Sequence, residues 1–237
     1  MLDEIIALDK NLFVFLNGLG SETCDGLWLV ITKQLYWTPF FLVVLFLILK
    51  KIGFKINFFL VLLFAPVIYI LFYLIYKIIK SGKDDINAKK YAIANNSSLV
   101  VKLYQLFLIL VTISLLILFT DQVTNFFKYS FERLRPCNDE ELKGLIRVVK
   151  TSSSFSFFSG HAANSMATMT FLFLYFKNHF RFTYLLFLFP LIFAYSRIYL
   201  GLHFPLDIIT GYVFGALSAL LFYKFFIVAQ KKLTFQF

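Results

Sequence analysis

The chain has 237 residues, of which 60% are hydrophobic, 20% aromatic and only 15% charged, with a formal net charge of +10. That composition is too apolar for an ordinary soluble domain and makes the bilayer the natural solvent. The Lys and Arg residues stand at the ends of apolar runs and form no stripe interleaved with stacking aromatics, which argues for membrane flanks and against a nucleic-acid partner. Cys24 and Cys137 could make one bridge at most, so they provide neither a disulfide framework nor a metal cluster.

From Met1 to Gly20, apolar residues recur at helical spacing with Asp3, Glu4, Asp9 and Lys10 between them, which predicts an interfacial helix. This stretch lacks the basic start, unbroken apolar run and small-residue cleavage site of a signal peptide, so it is expected to be retained. Six apolar segments then qualify as spans: about Leu27–Leu49, Ile56–Tyr76, Leu103–Phe127, Ser159–Phe176, Phe182–Leu200 and Leu206–Ala229. Pro39, Pro66 and Pro190 fall inside three of them and predict kinks. The fold class expected is all-α, a polytopic helical bundle of about six transmembrane helices forming one domain over residues 1–237, with its motif-bearing core in 100–230.

Two connections are long: Ile79–Ser98, polar and rich in Lys and Asp, and Tyr129–Phe158, with charges of both signs. In the last span Gly211, Gly215 and Ala219 recur every four residues, a face for close helix packing. Lys177, His179 and Arg181, with Lys231 and Lys232, mark the cytoplasmic side, which turns Tyr129–Phe158 outward. Six spans would also turn Lys50, Lys51 and Lys55 outward, against the same bias, so one of the first two spans reads as re-entrant or miscounted.

Three polar clusters stand at corresponding ends of these spans. In Lys128-Tyr-Ser-Phe-Glu-Arg-Leu-Arg135-Pro136, a helix continued to Pro136 would put Lys128 and Arg135 on one face, about 10 Å apart along the axis, as two cations for one anion or as a snorkelling basic flank. In Ser156-Phe-Phe-Ser159-Gly160-His161, a helix start would aim free N–H groups at an anion, with Gly160 allowing close approach and His161 able to donate a proton. In Ser196-Arg197-Ile-Tyr-Leu-Gly-Leu-His203-Phe-Pro-Leu-Asp207, Arg197 lies at a depth where a charge is costly. Pro205 suits the first turn of the last helix, so Asp207 can fix the His203 tautomer and leave the other ring nitrogen nucleophilic, or the two can form a purely structural contact.

The series Lys-x6-Arg-Pro, Ser-Gly-His and Ser-Arg-x5-His-x3-Asp resembles the type 2 phosphatidic acid phosphatase family in order and spacing, over Lys128 to Asp207. One departure is Phe158, where the family usually has Pro before Ser-Gly-His. The resemblance implies a core shared with haloperoxidases and a phosphohistidine mechanism. His203 would be the nucleophile, Asp207 its orienting partner and His161 the proton donor, while Lys128, Arg135, Arg197 and the Ser159–Gly160 backbone would hold the phosphoryl oxygens. It implies no cofactor and no metal. Its location would be the bacterial cytoplasmic membrane with the site facing the periplasm, and its substrate a lipid phosphate. Undecaprenyl diphosphate is favoured, with phosphatidylglycerophosphate, phosphatidic acid and lipid A phosphate as alternatives.

Asp121, within the third span and on one face with Asn125 and Lys128, reads either as a partner of a site cation or as a protonated packing residue. An anion transporter would also converge charges on broken helices, but it would show two related halves, which this chain does not. A haloperoxidase would lack the apolar spans.

Overall fold

The computed structural model describes residues 2–55, 57 and 89–234. Among these the chain is all-helical: α1 (Leu2–Gly18), α2 (Glu22–Ile31), α3 (Thr38–Ile52), α4 (Lys89–Phe131), α5 (Gly160–Phe176), α6 (Leu188–Tyr199) and α7 (Pro205–Thr234), with short 3-10 turns between some of them. Gln34–Ile52, Leu99–Leu142 and Pro205–Lys232 are long and apolar enough to cross a membrane, and Thr183–Tyr199 is a shorter apolar helix. The second expected span, Ile56–Tyr76, lies outside the described residues apart from Asn57.

Several boundaries differ from the sequence reading. The first expected span is split: α2 stops at Ile31, and a 3-10 turn at Gln34–Trp37 leads into α3. Pro39 sits in the first turn of α3 and Pro190 in the first turn of α6, each just after a 3-10 turn (Gln34–Trp37 and Thr183–Phe187) gives way to α-helix. Lys89–Ser98, expected as connection, is helical and continuous with α4.

Two compact units form. One comprises the described residues within 37–110 and 228–234. Within it, α3 ends on Gly53, whose φ of +92° reverses the chain, and Lys102 caps the turn by donating to the Gly53 carbonyl at 3.0 Å.

The other unit, residues 1–36 and 111–227, carries every predicted site residue. At its centre α5 buries residues all round its circumference, among them Ala162, Ala163, Ala167, Phe171 and Phe176, as an interior helix must. It packs closely on α7. A Cβ placed on Gly211 would lie 2.7 Å from the Ser159 carbonyl oxygen, and one on Gly215 would overlap the Ala163 carbonyl, so the small-residue face predicted from the sequence is the α5–α7 contact.

The α1 helix also belongs to this unit. Its Asp9, Phe13 and Asn17, at steps of four, are buried, while Ile5, Leu8, Leu12 and Phe15 are exposed. Phe13 joins Leu142, Ala162, Ile198, Phe204 and Ile208 in a buried cluster. Asn17 reaches the carbonyls of Arg147, Ile198 and Tyr199 at 3.0 to 3.1 Å and accepts from the Arg147 amide at 2.7 Å.

Candidate functional site

The turn between α6 and α7 builds the site. Gly201, at φ +83°, turns the chain where an added Cβ would meet the Arg147 carbonyl at 3.2 Å. The amides of Leu202 and His203 then donate back to the Arg197 carbonyl at 2.9 and 3.3 Å, stacking His203 over the end of α6. The 132–158 loop is stitched to the same turn by Cys137 donating to Gly201 and Lys150 to Leu200. Pro205 starts α7, and Asp207, in its first turn, accepts from the Phe204 amide at 3.0 Å.

His203 and Asp207 are fully buried and adjacent, with Nδ1 3.3 Å from Asp207 Oδ2. Arg135 Nη1 lies 3.1 Å from the other ring nitrogen, Nε2. A guanidinium only donates, so this contact makes Nε2 the lone-pair nitrogen and leaves the proton on Nδ1, toward Asp207. Burial first, then the charges of Arg135, Arg197 and Lys128, push the His203 imidazole well below the usual histidine range, so it is neutral and able to act as a nucleophile.

Arg135 is itself fixed by Ser154, whose carbonyl and hydroxyl accept at 2.7 and 2.9 Å, and by the Leu202 carbonyl at 2.9 Å. It reaches this place differently from the sequence expectation. The α4 helix ends at Phe131, Glu132 takes a φ of +47°, and Arg135 is extended, so Lys128 and Arg135 share no helix face; an irregular turn brings the second cation in. Pro136 opens a 3-10 turn and does not terminate α4.

Arg197 is buried at the end of α6, with one guanidinium nitrogen donating to the Thr32 hydroxyl. Its Nε has no hydrogen-bond partner among the described residues. A buried, charged donor left open beside His203 is a place for an anionic oxygen. Ser159 caps α5, accepting from the Ala162 amide at 3.4 Å, and its own amide donates to the Asp207 carbonyl at 3.0 Å, which ties the start of α5 to the first turn of α7. His161 follows Gly160 in the first turn of α5, its ring 5.2 Å from that of Phe193 and in the field of Arg197, His203, Lys128 and Arg135. The residues of all three sequence clusters therefore converge.

Asp121 sits beside them, 3.9 Å from the position of a Cβ on Gly160. Its hydrogen bond goes to Asn164 of α5, at 2.7 Å, rather than to Lys128; Asn164 in turn accepts from Thr120.

Sequence reasoning missed two charged residues here. Arg133 donates to Asp207 Oδ1 at 2.8 Å and to Asp9 Oδ2 at 2.6 Å, with its guanidinium carbon 4.0 Å from the centre of the Phe204 ring. Arg133 lies within the quoted Lys128–Pro136 stretch, and Asp9 is the polar step in the Asp9, Phe13, Asn17 series, which were the available signals.

Among the described residues no three His, Cys, Asp or Glu side chains gather as metal ligands. What converges is a neutral imidazole oriented by a carboxylate, a second imidazole, three cations and a helix start, a set suited to binding and attacking a tetrahedral oxyanion.

Residues 104–231, more than half of the chain, match the family model of the PAP2 superfamily, and the chain belongs to that family. Two similar proteins are each called lipid A 4'-phosphatase. The one from Bacteroides thetaiotaomicron is 26% identical over 94% of this chain and 79% of its own length, and the one from Porphyromonas gingivalis 25% identical over 98% and 78%. A crystal structure of a transmembrane PAP2-type phosphatidylglycerolphosphate phosphatase from Bacillus subtilis is 19% identical, with a TM-score of 0.41, over 92% of this chain and 94% of that one.

Proposed function

We propose that this protein is a metal-independent membrane phosphatase that hydrolyses the phosphate ester of a lipid, with a lipid A phosphate as first substrate. The observation that carries the reaction is the His203 ring, held by Asp207 at Nδ1 and met by Arg135 at Nε2, beside the open Nε of Arg197. The names of the two curated relatives move the substrate preference from undecaprenyl diphosphate, which the sequence favoured, to lipid A.

In this reading the phosphate dianion, once seated beside His161, offsets the cations around that ring so that it carries a proton; the Nε2 lone pair of His203 attacks phosphorus, the bond from phosphorus to the ester oxygen breaks, and His161 gives that oxygen its proton. Asp207 holds the Nδ1 proton and balances the charge on the ring. Water then attacks phosphorus and passes a proton to His161, the phosphorus–nitrogen bond breaks, and inorganic phosphate leaves. Lys128, Arg135, Arg197 and the amides at the start of α5 hold the phosphoryl oxygens, so the charge a metal would otherwise balance is met by side chains. Lys177, His179 and Arg181 follow the far end of α5, which supports a site on the outer face of the cytoplasmic membrane.

The test uses detergent-purified protein in EDTA, offered lipid A, undecaprenyl diphosphate, phosphatidylglycerophosphate and phosphatidic acid. Phosphate release and an alkali-stable, acid-labile phosphoenzyme are expected for the wild type, with lipid A turned over fastest and both signals lost in His203→Ala. Release that survives in His203→Ala, or none from any lipid, refutes the proposal, and a faster undecaprenyl diphosphate reaction refutes the substrate assignment alone.

A further inference from the structure

The Asp9–Arg133 pair lies outside the set that would touch phosphate, yet it closes a ring of hydrogen bonds around the nucleophile. Asp9 Oδ1 accepts from the Leu206 amide at 2.8 Å, and its Oδ2 accepts from Arg133 Nη2. Arg133 Nη1 donates to Asp207 Oδ1, while Asp207 Oδ2 takes the Phe204 amide and faces His203 Nδ1. Both carboxylates are buried, and each is bonded to a different nitrogen of one guanidinium. Arg133 also lies on the Phe204 ring, whose side is covered by Phe13 from the same face of α1 as Asp9, the two ring centres 5.3 Å apart.

We propose that Asp9 is a positioning residue for phosphoryl transfer: α1 acts as a clip that holds Arg133 against Asp207, and through Asp207 sets the orientation of His203. This rests on the phosphohistidine reading above.

The physical case is one of freedom removed. A guanidinium bonded to one carboxylate can swing about that bond, whereas one bonded at two nitrogens to two fixed carboxylates is locked in its plane. Asp9 is fixed because its other oxygen is tied to Leu206, the residue beside Asp207, so an error in Asp9 placement would be carried directly to the turn that bears the nucleophile. Burial raises the Asp9 carboxyl above its ordinary range, and its hydrogen bonds to Arg133 and Leu206 oppose that shift.

The experiment compares wild type, Asp9→Asn, Asp9→Glu, Arg133→Gln and the double substitution Asp9→Asn with Arg133→Gln, all as full chain in detergent. Asparagine can still accept from the Leu206 amide through its carbonyl oxygen, so Asp9→Asn keeps that bond and removes the negative charge that faces Arg133. The readouts are kcat and KM on lipid A, with thermal melting beside them. The expected result is a kcat lowered roughly tenfold to a hundredfold in Asp9→Asn with KM within about twofold, because a slight misplacement of a reacting group costs rate and leaves substrate affinity alone. Asp9→Glu should recover part of the loss, the double variant should be no slower than Arg133→Gln, and the melting temperature of Asp9→Asn should stay near wild type. An Asp9→Asn kcat within about twofold of wild type, a loss confined to KM, additive effects in the double variant, or a loss that tracks melting each overturns the clip. A wild type inert on lipid A and on the three other lipids overturns the phosphatase reading and the clip with it, a wild type active only on another lipid is compared with its variants on that lipid, and an active wild type beside an unaffected Asp9→Asn overturns the clip alone.

Discussion

Replacing Gly211 by alanine would test whether the packing of α5 on α7 sets the active geometry. The added Cβ would stand 2.7 Å from the Ser159 carbonyl oxygen, 3.0 Å from the Ala162 Cβ and 3.2 Å from the Ala163 amide, two of the three being backbone atoms. Since ordinary contact begins near 3.4 Å, relief requires the helices to part by roughly 0.7 Å at this level. Overpacking of this kind costs about 1–3 kcal/mol. In a chain of this size that lowers the melting temperature by about 2–4 °C per kcal/mol. The displacement falls on Ser159, Gly160 and His161, one side of the site, while Asp207 and His203 stay with α7, and a misplacement approaching 1 Å costs on the order of a hundredfold in rate. Phosphate release and thermal melting of Gly211→Ala are to be read beside Gly26→Ala, where a new Cβ meets nothing within 4 Å and neither quantity should fall. A Gly211→Ala protein with wild-type melting and a rate within about twofold would refute the idea that this contact fixes the site.

The remaining predictions concern charge and burial. With its pKa held well below 6.5, His203 is uncharged above that value and remains so as pH falls through it, whereas the unfolded histidine takes up a proton there; the stability this contributes is present above about pH 6.5 and is lost as pH falls through the folded pKa. The His203 imidazole resonance, assigned by its loss in His203→Ala, should therefore keep its neutral position as pH falls through the ordinary histidine midpoint near 6.5, and a midpoint at or above that value would contradict the burial described. Arg197→Lys should lower kcat/KM by about a hundredfold or more with little change in melting, because an ammonium cannot serve Thr32 and an anion in the guanidinium's geometry; near-wild-type kcat/KM would remove Arg197 from the site. Asn17→Ala strands three carbonyls and an amide in a buried place and should cost about 2–4 kcal/mol in unfolding, and an unchanged melting temperature would show that water replaces the side chain.

Sequence spacing foretold the Ser159–His161 helix start and the His203–Asp207 turn because both are local. A helix cap spans three or four residues, and a proline at a helix start fixes where the next turn lies. The small-residue face of α7 was legible for a similar reason, since its period is that of a single helix. Arg135 was found for the wrong reason. Helical spacing from Lys128 would have delivered it to the same face, but the chain leaves the helix at Phe131, and four hydrogen bonds to Ser154, Leu202 and His203 place it instead. Those partners lie 19 to 68 positions away, beyond the reach of any periodicity.

The sequence reading of α1 as an interfacial helix left open which of its residues turn toward the protein. An amphipathic helix in a soluble protein ordinarily buries its apolar face and shows its charges to water. Here the sides are exchanged: Asp9, Phe13 and Asn17 turn inward while Ile5, Leu8, Leu12 and Phe15 face out. The arrangement is favourable because, on either side of the apolar cluster that takes Phe13, the interior behind α1 presents polar groups that need a partner: the Arg147, Ile198 and Tyr199 backbone, the Leu206 amide and the Arg133 side chain. An outer face of Ile, Leu and Phe is at no disadvantage where the surroundings are lipid. Composition had already named the bilayer as solvent, and the same premise, applied within one helix, turns its polar residues inward, Asp9 among them, onto the turn that carries His203 and Asp207.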